Sequence, residues 1–306
     1  MLRKLVLLLA VAVLALGAGT AAGEKAIKLA LVCKAMDSEF WIDMRTGAQK
    51  AARELGVDLV VMAPDREVNV QQQVQIVEDL ISQKVTALAL APCGAQELIP
   101  VMQSAKAAGI PVILVDTDAN WSDKLAYVGT NNRLGGQMAG EHIAKSLNGQ
   151  GKVALITGVM GHQTHIDRVE GAEEVFKKYP GIKVVSKQPA NSQRDLAMSV
   201  MENVLTANPD LDFAFATAAV MAMGAYEAIA AANAKCKLIG FDADSEVLAL
   251  IKQGKVDSLI AQDPHAMGYL SIESLVKVIR GGSIGKIVDV PTGLVTKDNV
   301  DGYLKK

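Results

Sequence analysis

Two aspartates in matching segments are the residues of this chain whose type and spacing point most clearly to chemistry. Asp116 lies in Ile113–Ala119 and Asp242 lies in Leu238–Ser245, and each aspartate follows an apolar run. They are 242 − 116 = 126 positions apart. An ionised carboxylate accepts strong, charge-assisted hydrogen bonds from hydroxyl groups. A matched pair of such acceptors could hold a small polar molecule between two similar walls.

Helix capping is the other role that these residues could have. Asp242 and Asp244 both precede a predicted helix at Val247–Ile251, and aspartate is a favoured N-cap residue. Capping alone requires no matched pair, however. The repeat therefore favours a binding role for Asp116 and Asp242.

The elements around the two aspartates repeat as well. Val57–Val61 corresponds to Gly181–Ser186 at an offset of about 125 positions, and Ile27–Val32 aligns with Val153–Ile156. Internal similarity of this kind indicates repeated structural units, which here would be two lobes. Two sheets whose carboxyl ends face one cleft would bring both carboxylates together.

After residue 25 the chain alternates apolar runs with segments of helical spacing. The runs predict strands at Ile27–Val32, Leu59–Met62, Ala87–Ala91, Val112–Val115, Val153–Thr157, Lys183–Ser186, Phe213–Ala216, Lys237–Gly240 and Val256–Ala261. Helices are predicted from Met44 to Leu55, ending at Gly56, and from Val70 to Ile81. The alternation predicts an α/β fold of two similar doubly wound lobes, each a parallel sheet with helices on both faces.

In such sheets ligands bind outside the carboxyl ends of the strands, so functional residues should follow strands. The polar stretches in those positions are Lys34–Trp41, Asp116–Trp121, Gly158–Arg168, Asp242–Ser245 and Gln262–Asp263.

Two groups of side chains within these stretches extend the candidate site. Lys34, Phe40 and Trp41 follow the first strand, in a chain where only 4% of residues are aromatic. An exposed ring is a platform for the C–H face of a sugar, and the alternative is that one ring anchors the helix to the core. Arg168 offers a fork of donors to vicinal hydroxyls, with a surface ion pair to a neighbouring carboxylate as the alternative.

His162 and His165 form an HxxH pair, but no neighbouring cysteine or further histidine completes a ligand set. We therefore interpret them as solvated loop residues and expect no metal site. The chain also lacks the dinucleotide-binding, phosphate-loop, nucleophile-elbow and zinc-protease motifs. These absences predict a binding protein without a cofactor rather than an enzyme.

The three cysteines show no CxxC spacing. Cys33 ends the first apolar strand and is predicted to be a buried thiol. A disulfide between Cys93 and Cys236 is one alternative in an oxidising compartment, and free core or surface thiols are the other.

The first residues have the layout of an export signal. The positive segment Met1–Lys4 precedes the apolar run Leu5–Ala18 and the small residues of 19–23. This order predicts a secretory signal peptide over residues 1–23, because the apolar run is short for a membrane span. The formal net charge of −2, without a basic cluster, argues against a nucleic-acid partner.

Several short stretches resemble a known family. They are Phe40–Lys50, Gly109–Ile113 with Asp116, Asn131–Gly136, Arg168 with Gly171, Gln188–Ala190, Met221–Ala225, Gly240–Asp242 and Ala261–Gln262. Together they resemble the periplasmic sugar-binding proteins of the ribose/allose-binding type, which have the type I periplasmic binding protein fold. Those proteins are the substrate-binding components of ABC importers. The resemblance covers essentially all of the chain after residue 23.

The resemblance implies two lobes, joined by a three-strand hinge, that close on a monosaccharide. It divides the chain into an N-terminal lobe of residues 24–130 plus 263–291 and a C-terminal lobe of residues 131–262 plus 292–306. It also implies a monomeric, periplasmic receptor whose partner is an ABC permease in the inner membrane. The ligand-binding positions that it carries over are Lys34, Ser38, Phe40, Trp41, Asp116, Thr117, Arg168, Ser192, Ala218, Asp242 and Gln262.

Three places depart from the family pattern. Ala218 and Ala219 stand where the family usually has Asn-Asp, Ser192 replaces an aromatic residue, and Thr117 replaces a charged side chain of the ribose-type relatives. A sugar hydroxyl left unpaired would cost roughly 1–3 kcal/mol. We therefore expect a ligand other than ribose, such as a deoxy sugar, a polyol or a substituted sugar.

Other functions remain open at this point. The effector domain of a lac-repressor-type regulator shares this architecture but needs a DNA-binding head where this chain has an export signal. An exported enzyme would need one of the missing motifs. A periplasmic receptor for a non-sugar or signalling ligand, such as a furanosyl-like autoinducer or a nucleoside, would use the same fold. The sequence thus predicts a periplasmic receptor for a small polyhydroxylated ligand, with this last alternative kept.

Overall fold

The structure is a computed structural model that describes residues 26–304. The predicted signal peptide at residues 1–23 and the last two residues lie outside the described part. Within residues 26–304, none of the helices has the length and apolar character needed to cross a membrane.

The described residues form two six-stranded sheets with helices on their faces. Numbered along the chain, the strands are β1 (Lys28–Val32), β2 (Asp58–Met62), β3 (Ala87–Leu90), β4 (Val112–Val115), β5 (Tyr127–Gly129), β6 (Gln150–Thr157), β7 (Gly181–Pro189), β8 (Phe213–Ala216), β9 (Lys237–Phe241), β10 (Ser258–Ala261), β11 (Ile287–Asp289) and β12 (Gly293–Thr296). The helices are α1 (Glu39–Leu55), α2 (Val70–Ser82), α3 (Ile99–Ala107), α4 (Asn132–Ser146), α5 (Gln163–Phe176), α6 (Arg194–Ala207), α7 (Ala219–Ala231), α8 (Ser245–Lys252) and α9 (Pro264–Ile279).

The two sheets have the same strand order. Their strand orders are β11-β5-β4-β3-β1-β2 and β12-β10-β9-β8-β6-β7, so that β4 and β9 hold equivalent positions. The pairings are parallel except for β12, which runs antiparallel to β10. The predicted α/β class, with two similar doubly wound lobes, is therefore confirmed.

A strand is found at each predicted run. Apolar runs locate such strands because a strand covered on both faces must be apolar throughout. All residues of β3, β4, β8 and β10 are buried. β6 and β7 extend beyond the predicted runs, and they are paired with each other along most of their length. Those extra residues include exposed polar side chains of the edge strand β7, which an apolar pattern does not reveal.

α1 begins at Glu39, five residues before the predicted start at Met44, because Phe40 and Trp41 already lie on its buried face. It ends where predicted. Gly56 has a φ of 67°, and its backbone N–H bonds to the carbonyls of the last turn. The first turn of α1 is what brings both rings to the end of β1.

The chain passes between the two sheets three times. The passages lie between β5 and α4, between β10 and α9, and between β11 and β12. α9 packs on α1 of the first sheet, and α4 packs on α5 of the second. We propose that the lobe boundaries at 130/131, 262/263 and 291/292 lie within these passages, which would then form the hinge.

All three cysteines are buried free thiols, so the alternative of a Cys93–Cys236 disulfide is not realised. Cys33 is confirmed as a buried thiol at the end of β1. Burial raises the pKa of each thiol to about 12, which keeps it protonated and unreactive.

Glycines allow three pairs of helices to approach closely. A Cβ on Gly136 of α4 would lie 2.0 Å from the carbonyl oxygen of Arg168 on α5. Gly268 of α9 meets α1, and Gly224 of α7 meets α6, at similar distances. The α4–α5 contact also fixes the backbone that carries Arg168.

Replacing Gly136 by alanine should therefore lower the free energy of unfolding by at least about 1–3 kcal/mol, the usual cost of overpacking. Urea denaturation of the purified protein measures this change. Gly302→Ala is the control, since a Cβ there meets nothing within 4 Å. Equal stability of the two variants would contradict the close approach of α4 and α5.

Candidate functional site

Asp116 and Asp242 follow equivalent strands of the two sheets. Asp116 follows β4 and Asp242 follows β9, and both have left-handed backbone conformations, with φ values of 62° and 72°. Non-glycine residues seldom adopt this region, and where they do the strain often marks a functional site. The hydroxyl of Tyr127 donates a hydrogen bond of 2.8 Å to the carbonyl of Asp116 and helps to hold this turn.

Asp116 is part of a buried ion pair. The Nζ of Lys34 lies 3.1 Å from Oδ2 of Asp116, and both side chains are almost fully buried. Thr117 donates a hydrogen bond of 2.7 Å to the same oxygen. Because both contacts fall on Oδ2, the other carboxylate oxygen remains for a further partner.

Arg168 is buried rather than on the surface, so the alternative of a surface ion pair is wrong. Its Nε donates to the side chain of Asn132 at 2.9 Å, and Nη1 donates to the carbonyl of Thr217 at 2.7 Å. The guanidinium carbon lies 3.7 Å from the centre of the Phe241 ring, within the range of a cation–π contact. These contacts fix the plane of the guanidinium, and none of them uses Nη2.

Asp242 and Gln262 form the corresponding pair on the other wall. The amide nitrogen of Gln262 donates to Oδ1 of Asp242 at 2.6 Å. Burial raises the pKa of the Asp242 carboxyl, while the charge of Arg168 and the bond from Gln262 oppose that shift. The Oε1 of Gln262 is buried and has no hydrogen-bond partner, a deficit that proteins normally avoid.

Phe40 and Trp41 belong to the hydrophobic core and also line the cleft. Their rings meet edge to face with centroids 4.9 Å apart, and the Nζ of Lys34 lies 5.7 Å from the Trp41 ring. The Trp41 indole N–H donates to Oε1 of Glu67 at 3.2 Å. Both rings therefore anchor α1 to the core, as the alternative interpretation predicted for one of them, and both also lie on the cleft wall.

These side chains surround a cleft between the two sheets with an empty volume of about 500 Å³, including the solvent at its mouth. The sequence-predicted residues on its surface are Lys34, Ser38, Phe40, Trp41, Asp116, Arg168, Ser192, Ala218, Asp242 and Gln262.

Thr117 is placed differently from the other predicted positions. It is fully buried and does not line the cleft, because its hydroxyl points to Asp116. Its contribution is therefore to orient the Asp116 carboxylate rather than to form the wall.

The sequence did not predict the remaining cleft residues as ligand positions, although His165, Ala219 and Asp244 were considered in other roles. These residues are Asp37, Glu67, Thr164, His165, Ala219, Val220 and Asp244. Asp37, Thr164, His165 and Asp244 lie in stretches that follow strands, so the carboxyl-end rule could have found them. Glu67 lies after β2. Because β2 is only partly buried, the sequence gave no comparable reason to expect a functional residue there.

The interpretation of His162 and His165 as solvated loop residues is wrong. Both are buried, with relative exposures of 2% and 6%, because α5 begins at the seam between the two sheets. Burial lowers the pKa of each imidazole, and the charge of Arg168 lowers that of His165 further. Both imidazoles are therefore neutral, and that of His165 lines the cleft.

The cleft is closed in this structure. Oε2 of Glu39, in α1, accepts a hydrogen bond of 2.8 Å from the backbone N–H of Ser245, at the start of α8. Between Glu67 and His162, Oε2 and Nδ1 lie 3.6 Å apart. Asp244 precedes Ser245, but its side chain makes no hydrogen bond that caps α8. The alternative role of helix capping is therefore not observed for Asp244.

The buried ion pair predicts a large effect of Lys34→Met. Removing one partner leaves the Asp116 carboxylate buried and uncompensated, which typically costs 3–5 kcal/mol, about the range we expect for the loss in unfolding free energy. Lys106→Met is the matched control, because Lys106 pairs with Asp123 on the surface, where such pairs contribute about 0–1 kcal/mol. Similar losses in both variants, measured by urea denaturation, would contradict the buried pair.

Asp244 predicts a pH dependence of stability. Burial, followed by the charges of Asp242, Glu39 and Glu246, raises its pKa from 3.8 to about 8. The folded chain thus keeps a proton that the unfolded chain releases near pH 4. Between pH 4 and 8 this group should make the unfolding free energy fall with rising pH, by at most about 1.4 kcal/mol per unit.

Asp244→Asn should remove that slope, whereas Asp298→Asn, at an exposed position, should keep it. Urea denaturation at several pH values between 4 and 8 measures the difference. Identical slopes for wild type and Asp244→Asn would show that the carboxyl titrates normally.

Comparison with known proteins places this architecture in a family. Residues 29–283 match the family described as periplasmic binding protein domain. The ribose import binding protein RbsB of Bacillus subtilis is 31% identical over 274 residues, which are 90% of this chain and 88% of that protein.

Solved structures agree with this match. A carbohydrate transporter solute binding protein from Agrobacterium radiobacter, in complex with D-arabinose, has a TM-score of 0.87 and 30% identity, covering 92% of this chain and 98% of that one. An ABC transporter periplasmic solute binding protein from Actinobacillus succinogenes with bound D-allose has a TM-score of 0.85 and 32% identity, covering 90% and 99%. The chain belongs to the periplasmic binding protein family, and its two sheets form the type I fold of that family.

Proposed function

We propose that this chain is the substrate-binding receptor of an ABC importer and captures a monosaccharide or related polyol by closure of its two lobes. The observation that carries the proposal is a closed cleft lined by buried polar groups with unused hydrogen-bonding capacity. The similar proteins are described as ribose, allose and arabinose binders, which supports a sugar as the ligand class.

The unused capacity suits a ring of hydroxyl groups. One oxygen each of Asp116, Asp242 and Gln262 is left to accept, and Nη2 of Arg168 is left to donate. A sugar hydroxyl can donate and accept at once, so it can bridge such groups. Phe40 and Trp41 provide the apolar surface that its C–H face requires.

One part of the wall carries no polar side chain. Ala218, Ala219 and Val220 line the cleft beside the start of α7. A hydroxyl facing this patch would lose its partners, so the ligand should present an apolar or substituted position here. A deoxy sugar or a substituted sugar fits this wall better than ribose.

The cellular location and the partner of the protein follow from the same proposal. An export signal at residues 1–23 would deliver the chain to the periplasm, where it would act as a monomer and dock on an inner-membrane permease. Closure would remove water from the ligand, so each unmatched polar group would reduce affinity and specificity would follow.

A calorimetric and thermal-shift panel of pentoses, hexoses, deoxy sugars, polyols and nucleosides tests this function. A ligand at a hundred times its Kd should stabilise the protein by about 2.7 kcal/mol. Asp242→Asn should weaken that ligand by roughly 10- to 150-fold, since it removes a charged hydrogen-bond acceptor. Asp58→Asn, an exposed carboxylate at the amino end of β2, is the control and should bind normally.

Two results would contradict the proposal. If only a nucleoside or another non-sugar stabilises the protein, the receptor serves a different ligand class. If a sugar binds equally well to wild type and Asp242→Asn, the cleft described above is not its site.

A further inference from the structure

Three potential metal-ligating side chains meet at the closed seam, beside the sugar-binding residues. Glu67 comes from the loop between β2 and α2, and His162 and His165 come from the start of α5 in the other sheet's lobe. One ligand atom of each lies within 4.8 Å of those of the other two. Closure of the lobes is therefore what assembles this group.

The group contains buried polar atoms without partners. His162 is 2% exposed, yet neither of its ring nitrogens makes a hydrogen bond. Oε2 of Glu67 is also buried and unpaired, and it lies 3.6 Å from Nδ1 of His162, too far for a hydrogen bond. Buried donors and acceptors are normally satisfied, so these atoms indicate a missing partner.

The tautomer of His165 is set by its neighbour. The hydroxyl of Thr217 donates to the carbonyl of Ile156 at 3.3 Å, so it accepts at 2.9 Å from Nδ1–H of His165. Nε2 of His165 then carries a lone pair, as a metal-ligating imidazole requires, and its partner in this structure is the Ser192 hydroxyl at 3.5 Å. Metal-bound histidines usually have such a second hydrogen bond, which orients the ring.

Glu67 is oriented in the same way. Its Oε1 accepts the indole N–H of Trp41, which leaves Oε2 to face His162. The nearest ammonium, that of Lys34, is paired with Asp116, so its charge is compensated.

We propose that Glu67, His162 and His165 bind a zinc-type divalent cation that bridges the two lobes and stabilises the closed form. Two imidazole nitrogens and one carboxylate oxygen are a ligand set that zinc uses, whereas magnesium prefers oxygen ligands only. Tetrahedral ligands at zinc lie about 3.4 Å apart, so small side-chain rotations would complete the site. The fourth position would be open to water at the cleft.

The first test uses purified, chelator-treated protein without a histidine tag, and ZnCl₂ as the only added ligand. Calorimetry should show one zinc ion bound per chain, with MgCl₂ giving no heat of binding. Small-angle X-ray scattering without sugar should shift towards the profile of the closed structure when zinc is added. Wild type that binds no stoichiometric zinc would overturn the proposal.

The variants separate the metal site from closure in general. Glu67→Gln and His162→Gln should each weaken zinc binding by more than about tenfold, and Thr217→Val should weaken it by about 10- to 100-fold through His165. Glu39→Ala is the matched control, because it removes the hydrogen bonds from Ser245 across the seam and leaves the three ligands intact. It should bind zinc within about threefold of wild type.

Two outcomes would count against the inference. Zinc binding unchanged in His162→Gln would mean that the metal binds elsewhere. Zinc binding lost in His162→Gln but unchanged in Glu67→Gln would leave the ion within one lobe and remove its role as a bridge.

Discussion

The structure depends on the need to pair or neutralise ionisable groups that are buried between two lobes. Asp116 meets this need through Lys34 and Thr117, and Asp242 through Gln262, and both carboxylates keep further hydrogen-bonding capacity. An isolated charge in the same place would be unstable, and a fully paired one would have nothing left for a ligand. The cleft is therefore stable enough to persist when empty and incomplete enough to bind.

The internal repeat positions these groups. Since β4 and β9 occupy equivalent places in the two sheets, the residue after each strand reaches the cleft from opposite sides. The left-handed conformation of Asp116 and Asp242 turns the chain sharply at both points. The backbone then aims each carboxylate before a ligand arrives, which limits the entropy lost on binding.

The sequence predicted the features that follow from hydrophobic periodicity and from the internal repeat. The buried strands, the end of α1 at Gly56 and the places of Asp116 and Asp242 all follow from such patterns. It failed for His162 and His165, whose burial results from contact between lobes far apart in the chain. It also could not show that Thr117 stands behind Asp116, because residue type does not fix the direction of a side chain after a tight turn.

The edge strands have a consequence for how the chain folds. β11 completes the first sheet and β12 completes the second, although every other strand of both sheets precedes residue 262. Neither sheet can acquire its sixth strand until the segment that carries it, residues 287–289 or 293–296, has left the ribosome. Until then the outer edges of β5 and β10 stay unpaired on the growing chain, although both strands were made earlier.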